Sequence, residues 1–325
     1  MELAIMQSGN NLFSARTARL GILTLLAGSL LAAQVGRAAE PPIQDDTSTT
    51  DSAKGPKTRE PAPRPPSRTI TYKTVGDTKL SLHAFEPEGR KESDSRPAIV
   101  FFFGGGWAGG DPKQFYEHCR ELSDLGMVAF SAEYRVRSRN KTTPLECVKD
   151  AKSAVRWIRE HAPELGIDPN RIVASGGSAG GHIAACTSVI VGHEEDGENL
   201  EISSKPNAMI LFNPVLDTSL ETGLAGNRFG PELHEALSPC HNVHDKIAPM
   251  IIFHGTADET VPLEQVERFT SQMKDANNQC VLIPFADKGH GFFNATSFRA
   301  RNDGKDYATT MKHSIEFLKQ HEILK

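Results

Sequence analysis

The run Gly176-Gly177-Ser178-Ala179-Gly180 follows a β-type stretch at 171–175 and leads straight into a helical pattern. A serine at the tip of so tight a strand-to-helix turn has its Oγ pushed into the open. Only very small residues two positions away on either side, here Gly176 and Gly180, let strand and helix come that close. The helix N-terminus behind Ser178 favours negative charge developing beside it. A hydroxyl is a weak nucleophile without a base, and imidazole is the usual one. Among twelve histidines, His290 stands out. It sits in the loop Asp287-Lys288-Gly289-His290-Gly291-Phe292, after the last predicted strand. Asp258 follows the preceding predicted strand and is the expected orienting carboxylate; Glu259 and Asp217 are its rivals. The fourth element is Phe103-Gly104-Gly105-Gly106-Trp107, again directly after an apolar run. Consecutive glycines let amides converge on one point, so Gly105, Gly106 and Ala179 are expected to form an oxyanion hole. The chemistry these residues suit is acyl transfer through a serine nucleophile.

Other polar residues carry less. His182 lies one turn beyond the serine, where packing at a helix start is the expected role. Glu133-Tyr134-Arg135 is expected to anchor the sheet edge through an arginine-centred network. His234, Cys240, His241 and His244 lack a tight metal-ligand spacing, so no metal and no cofactor is expected. Trp107 and Phe292, with Phe293, are candidates to line an acyl pocket, and packing explains them equally well. The five cysteines show no Cys-x-x-Cys spacing and read mostly as small buried hydrophobes, with one bonded pair left open.

These groups need a scaffold. Strand-like runs are predicted at 69–75, 80–85, 98–103, 127–133, 171–175, 208–212, 250–253 and 280–285. Several, such as Ile99-Val100-Phe101-Phe102-Phe103, are apolar on both faces, which places them inside a parallel sheet covered by helices. Helical periodicity is predicted over 113–125, 144–161, 179–191, 263–276 and 306–321. Alternation of this kind implies a doubly wound α/β fold with a mostly parallel, eight-stranded sheet and helices on both faces. Residues 192–206 and 217–249 resist assignment and are expected to be insertions shaping a substrate pocket.

Composition narrows the class. The 325 residues carry 36 Lys+Arg against 41 Asp+Glu, so the net charge of −5 gives no footing for nucleic-acid binding. Arg16 and Arg19 precede an uncharged run at 20–36, and Gly36 and Ala38 supply the small residues a signal peptidase needs. Residues 1–38 therefore read as a secretory signal, with a retained anchor as the alternative, and the protein as periplasmic or extracellular. Residues 39–68 are rich in proline and read as a disordered tether, leaving 69–325 as the catalytic domain.

Taken together, 69–325 resembles the α/β-hydrolase superfamily. Within it the chain is similar to esterases with an HGGGW-type loop, including the bifunctional acetylxylan/feruloyl esterase-like group (BD-FAE-like) and hormone-sensitive-lipase-like esterases. The resemblance rests on Gly104-Gly105-Gly106-Trp107, Glu133-Tyr134-Arg135, Gly177-Ser178-Ala179-Gly180-Gly181-His182, His254-Gly255-Thr256-Ala257-Asp258 and Gly289-His290-Gly291-Phe292. One departure is plain: the family's histidine before the glycines is Phe103 here, which bears on loop rigidity and substrate range. The order Ser178, Asp258, His290 is the superfamily's order. The resemblance implies an exported serine carboxylesterase for short acyl esters, acetyl or hydroxycinnamoyl groups on polysaccharides among them. An arylformamidase-like amidase and an inactive hydrolase-fold binding protein are the alternatives.

Overall fold

The computed structural model describes residues 64–325. The expected signal segment and residues 39–63 of the expected tether lie outside the described residues. Eight strands form one sheet: β1 (Arg68–Val75), β2 (Thr78–Phe85), β3 (Arg96–Phe102), β4 (Val128–Ala132), β5 (Ile167–Gly177), β6 (Ala208–Phe212), β7 (Met250–Gly255) and β8 (Cys280–Phe285). Their spatial order is β1-β2-β4-β3-β5-β6-β7-β8. The β1–β2 and β2–β4 pairs are antiparallel, and every pairing from β4 to β8 is parallel. This is the α/β-hydrolase arrangement.

The helices are α1 (Tyr116–Asp124), α2 (Arg137–Asn140), α3 (Pro144–Glu160), α4 (Ala179–Val189), α5 (Leu233–Ala236), α6 (Leu263–Asp275) and α7 (Lys305–Gln320). Helix α3 starts where its sequence says it should. Pro144 occupies the first turn, and Thr143 and Glu146 satisfy each other's backbone amides in a capping box. Its buried stripe of Cys147, Val148, Ala151, Val155 and Ile158 follows the helical period. The two short helices, α2 and α5, had no periodic signal, being only four residues each.

The central strands β4 and β6 are buried at every position. Alternate side chains of β3 feed two separate cores. Val100 and Phe102 join the one covered by α3, α4 and α6, and Ile99 and Phe101 join the one covered by α1 and α7. Helices therefore clothe both faces. Because the parallel strands share one direction, the loops after β3, β5, β6, β7 and β8 gather at one edge, where a site can be assembled from distant segments.

The insertion at 192–206 departs from expectation: it does not line the cavity at that edge of the sheet. Its carboxylates bind buried cations of α3 instead. Lys152 donates to Ile190 O at 2.7 Å and Glu194 Oε1 at 2.9 Å, and Arg156 pairs with both Glu194 and Glu198. Residues 217–249 do contribute to the cavity, through Gly223, Leu224 and Arg228. All five cysteines are unpaired, four buried and Cys280 half-buried.

Candidate active site

Ser178 lies between β5 and α4 with φ 55° and ψ −122°, a left-handed conformation that costs energy for any residue with a Cβ. Its surroundings hold it there. Its N–H donates to Phe212 O at 2.9 Å, and its own carbonyl accepts from His182 N at 2.9 Å. The flanking glycines are required by contact. A Cβ on Gly180 would strike the carbonyls of Phe102 and Phe103, and one on Gly176 would strike the Gly180 carbonyl. Ala179 opens α4, so its amide has no intrahelical acceptor.

His290 stands in the loop after β8, with its Nδ1 2.7 Å from Asp258 Oδ2. An ionised carboxylate only accepts, so Nδ1 carries the proton and Nε2 is left as the basic nitrogen. Asp258 follows β7 and is held on both oxygens. Oδ1 accepts from the amides of Thr260 at 2.9 Å and Val261 at 3.0 Å, while Oδ2 also accepts from Asn213 Nδ2 at 2.6 Å. Burial pushes the Asp258 carboxyl up, but hydrogen bonds from His290, Asn213 and Val261 outweigh it and bring it down to about 2. Its rivals are elsewhere: Glu259 is exposed, and Asp217 is taken up by Arg268, Ser219 and Ser238.

Ser178 and His290 line one cavity of about 630 Å³, together with Gly105, Gly106, Trp107 and Ala179. Among the described residues no hydrogen bond links Ser178 Oγ to His290, as is common in an unliganded site where that contact tightens only around substrate. The glycine loop is pinned at Gly104, whose N–H donates to Gln114 Oε1 at 2.7 Å. Gly105, at φ 135°, lies so close to the Gly109 carbonyl that a Cβ would collide with it. Among the described residues the amides of Gly105 and Gly106 donate to no protein group. They are therefore available to an oxyanion.

Phe103 replaces the expected histidine with a packed anchor. Its ring stacks on Tyr134 at 4.2 Å, and its carbonyl accepts from Tyr134 Oη at 2.7 Å. Arg135, beside it, forms a buried fork with Asp150 and reaches Glu195 at 2.6 Å. Trp107 lines the cavity but is almost fully buried, donating from Nε1 to His182 Nδ1 at 3.2 Å. His182 Nε2 then donates to Leu237 O at 2.8 Å. Burial lowers His182 to about 4, so it is a neutral packing residue. Phe292 does not line the cavity. It packs on Phe285 in the α7-side core at 4.4 Å, because consecutive side chains of the loop diverge and Phe293 takes the cavity side.

Sequence reasoning missed three amides. Gln114 Nε2 donates to Asn294 Oδ1 at 2.9 Å, and Asn294 Nδ2 donates to Gly291 O at 2.9 Å. With Gly104 N–H at one end and Gly291 C=O at the other, every donor along the chain is fixed by the backbone. The result is a strut between the glycine loop and the histidine loop. Asn213, behind Asp258, is the third. Only its place after β6, in Asn213-Pro214, hinted at a site role.

Residues 82–273 match the BD-FAE family, and residues 228–322 match the dienelactone hydrolase family. Apo Thermogutta terrifontis esterase 2 superposes with a TM-score of 0.77 at 47% identity, covering 82% of this chain and 99% of that one. The butyrate-bound form of that esterase gives 0.74 at 45% identity, covering 80% and 96%. A probable isoprenylcysteine alpha-carbonyl methylesterase of Arabidopsis thaliana is 26% identical over 69% of this chain and 50% of its own length. An acetylxylan esterase of Xylanibacter ruminicola is 27% identical over 72% of this chain and 48% of its own length. The chain thus spans about half the length of the curated relatives it matches.

Proposed function

The chain belongs to the BD-FAE family of α/β-hydrolase carboxylesterases, and from that premise we propose that it is a serine carboxylesterase acting on short acyl esters. The observation that carries this is the 2.7 Å contact from His290 Nδ1 to Asp258, in a cavity that His290 shares with Ser178 and two unengaged glycine amides. In this reading Ser178 Oγ attacks the ester carbonyl as His290 Nε2 takes its proton. Negative charge on the carbonyl oxygen is met by the amides of Gly105, Gly106 and Ala179. His290 then returns the proton to the departing alcohol, and water, activated the same way, releases the acyl group from Ser178.

A short acyl group is favoured by two things. The cavity is modest in volume, and an esterase at 45% identity has been solved with butyrate bound. Likeness to an acetylxylan esterase supports acetyl groups on polysaccharides as substrates, with hydroxycinnamoyl esters as the larger extension. Residues 16–38 support export to the periplasm or beyond, on sequence grounds alone.

The test is hydrolysis of p-nitrophenyl acetate, butyrate and octanoate, with Ser178→Ala alongside. We expect kcat/KM to fall at least tenfold between butyrate and octanoate, and Ser178→Ala to lose at least about 10³-fold in kcat with its fold intact. Turnover that survives in Ser178→Ala would refute the assignment.

A further inference from the structure

Two arginines reach the wall of the catalytic cavity without a carboxylate to answer them. Arg228 comes from the short turn Gly226–Arg228, and its Nη1 donates to Leu224 O at 2.9 Å. Arg299 comes from the segment between β8 and α7, and its Nη1 donates to His290 O at 3.1 Å. A Cβ on Gly291 would lie only 2.6 Å from that same Nη1, so the guanidinium rests against the residue that follows His290. Both side chains line the cavity and are exposed. Among the described residues neither pairs with an Asp or Glu.

Several arginines elsewhere in this fold are answered by carboxylates, and Arg159, which is not, spends its donors on Pro169 O, Ser203 O and Asn207 Oδ1. Arg135 holds Asp150 and Glu195, Arg156 holds Glu194 and Glu198, and Arg268 holds Asp217. Only Asp111 opposes the pair in the cavity wall, and it already accepts the Lys113 amide at 2.8 Å as a turn cap. The cavity thus offers two guanidinium forks, each with N–H groups to spare, in a concave wall that focuses their field.

The side of the substrate they meet follows from the chemistry. The oxyanion amides fix the carbonyl oxygen, and the alcohol must lie towards His290, which hands it a proton. Arg299 hangs on the His290 carbonyl, so its fork belongs to the alcohol side. We propose that the cavity selects short-acyl esters whose alcohol portion carries a carboxylate, such as an acylated acidic sugar or hydroxy acid, with Arg299 as the specificity determinant and Arg228 adding positive charge to the same cavity wall. The inference rests on the reading of this cavity as an ester-hydrolysing site.

The test compares 4-acetoxybenzoate with its neutral counterpart 4-acetoxybenzamide, each rate divided by that substrate's rate with hydroxide alone. The full chain should prefer the anion about tenfold at low salt. The preference should shrink between 0.01 M and 1 M salt, as the screening length falls from about 30 Å to about 3 Å. Arg299→Gln and Arg228→Gln should each cut the anion-to-neutral ratio about three- to fivefold, mainly through KM for the anion. A ratio near one, indifferent to salt and to both substitutions, overturns the proposal. A preference confined to mono-p-nitrophenyl succinate, whose carboxylate is on the acyl side, overturns the assignment to the alcohol. Failure of the wild-type chain to hydrolyse either acetate defeats the esterase reading itself, and this inference with it.

Discussion

Asp258 is a buried carboxylate held ionised by what surrounds it. Burial opposes its charge, yet four donors from His290, Asn213, Thr260 and Val261 converge on its two oxygens. Removing that charge without changing shape tests its role. Asp258→Asn should cost about 10³- to 10⁴-fold in kcat on a short ester, because the amide no longer fixes the imidazole tautomer. The same residue makes a stability prediction. Its folded pKa, about 2, lies below the ordinary 3.8, so the folded state holds the proton less tightly than the unfolded chain. The stabilisation is fully present above pH 4 and is lost as pH falls through about 2, amounting to about 2 kcal/mol. Urea midpoints measured from pH 5 down to pH 2 should show this loss in the wild type and lack it in Asp258→Asn. At this scale the sequence was legible where motifs mark a position: the expected Asp258 and His290 are in contact, and His290 shares a cavity with Ser178. Gln114, Asn213 and Asn294 escaped notice because amides are common and their partners are remote: Gln114 and Asn294 are 180 positions apart.

Loops carry the site, and the strut between two of them is its least expected part. The resemblance expected a histidine to steady the glycine loop. Here Phe103 is locked by Tyr134, and Gln114, from the short turn before α1, takes the Gly104 amide. Truncating Gln114 to Ala leaves the Gly104 amide and the Asn294 carbonyl without these partners, and it uncouples the glycine loop from the histidine loop. We expect kcat to fall about tenfold with KM little changed, since the oxyanion donors are needed most in the transition state. Asn294→Ala should do the same, and the double variant should be scarcely worse than either single one, which a double-mutant cycle on kcat would read. Additive losses would mean the two amides act separately. The elements themselves were largely legible. Predicted strands at 208–212 and 280–285 coincide with β6 and β8, because both runs are bounded by turn residues. The predicted helix at 113–125 divides into a 3₁₀ turn, Pro112–Phe115, and α1, since Pro112 supports a tight start that periodicity cannot distinguish from a full α-helix.

Across the whole molecule, five segments spread over nearly 200 positions meet at one edge because parallel strands all deliver their loops there. The motifs reveal that convergence through their order alone. Pattern does not reveal how an insertion is used. Acidic residues at 194–198 look like pocket material in sequence, but they serve as counter-charges for Lys152 and Arg156, whose side chains α3 buries. Charge pairing across 38 or more positions has no local signature. Conversely, the unpaired arginines at the cavity could be recognised only once the paired ones had been found. In the proposed function one serine, Ser178, made nucleophilic by its fold, performs the chemistry. The most direct measurement is to treat the full chain with paraoxon and follow p-nitrophenolate release, residual esterase activity and the mass of each peptide. We expect one equivalent released per chain, activity lost in proportion, and the phosphoryl group on the peptide containing Ser178. Full activity after stoichiometric labelling, or a label on any other residue, would contradict it.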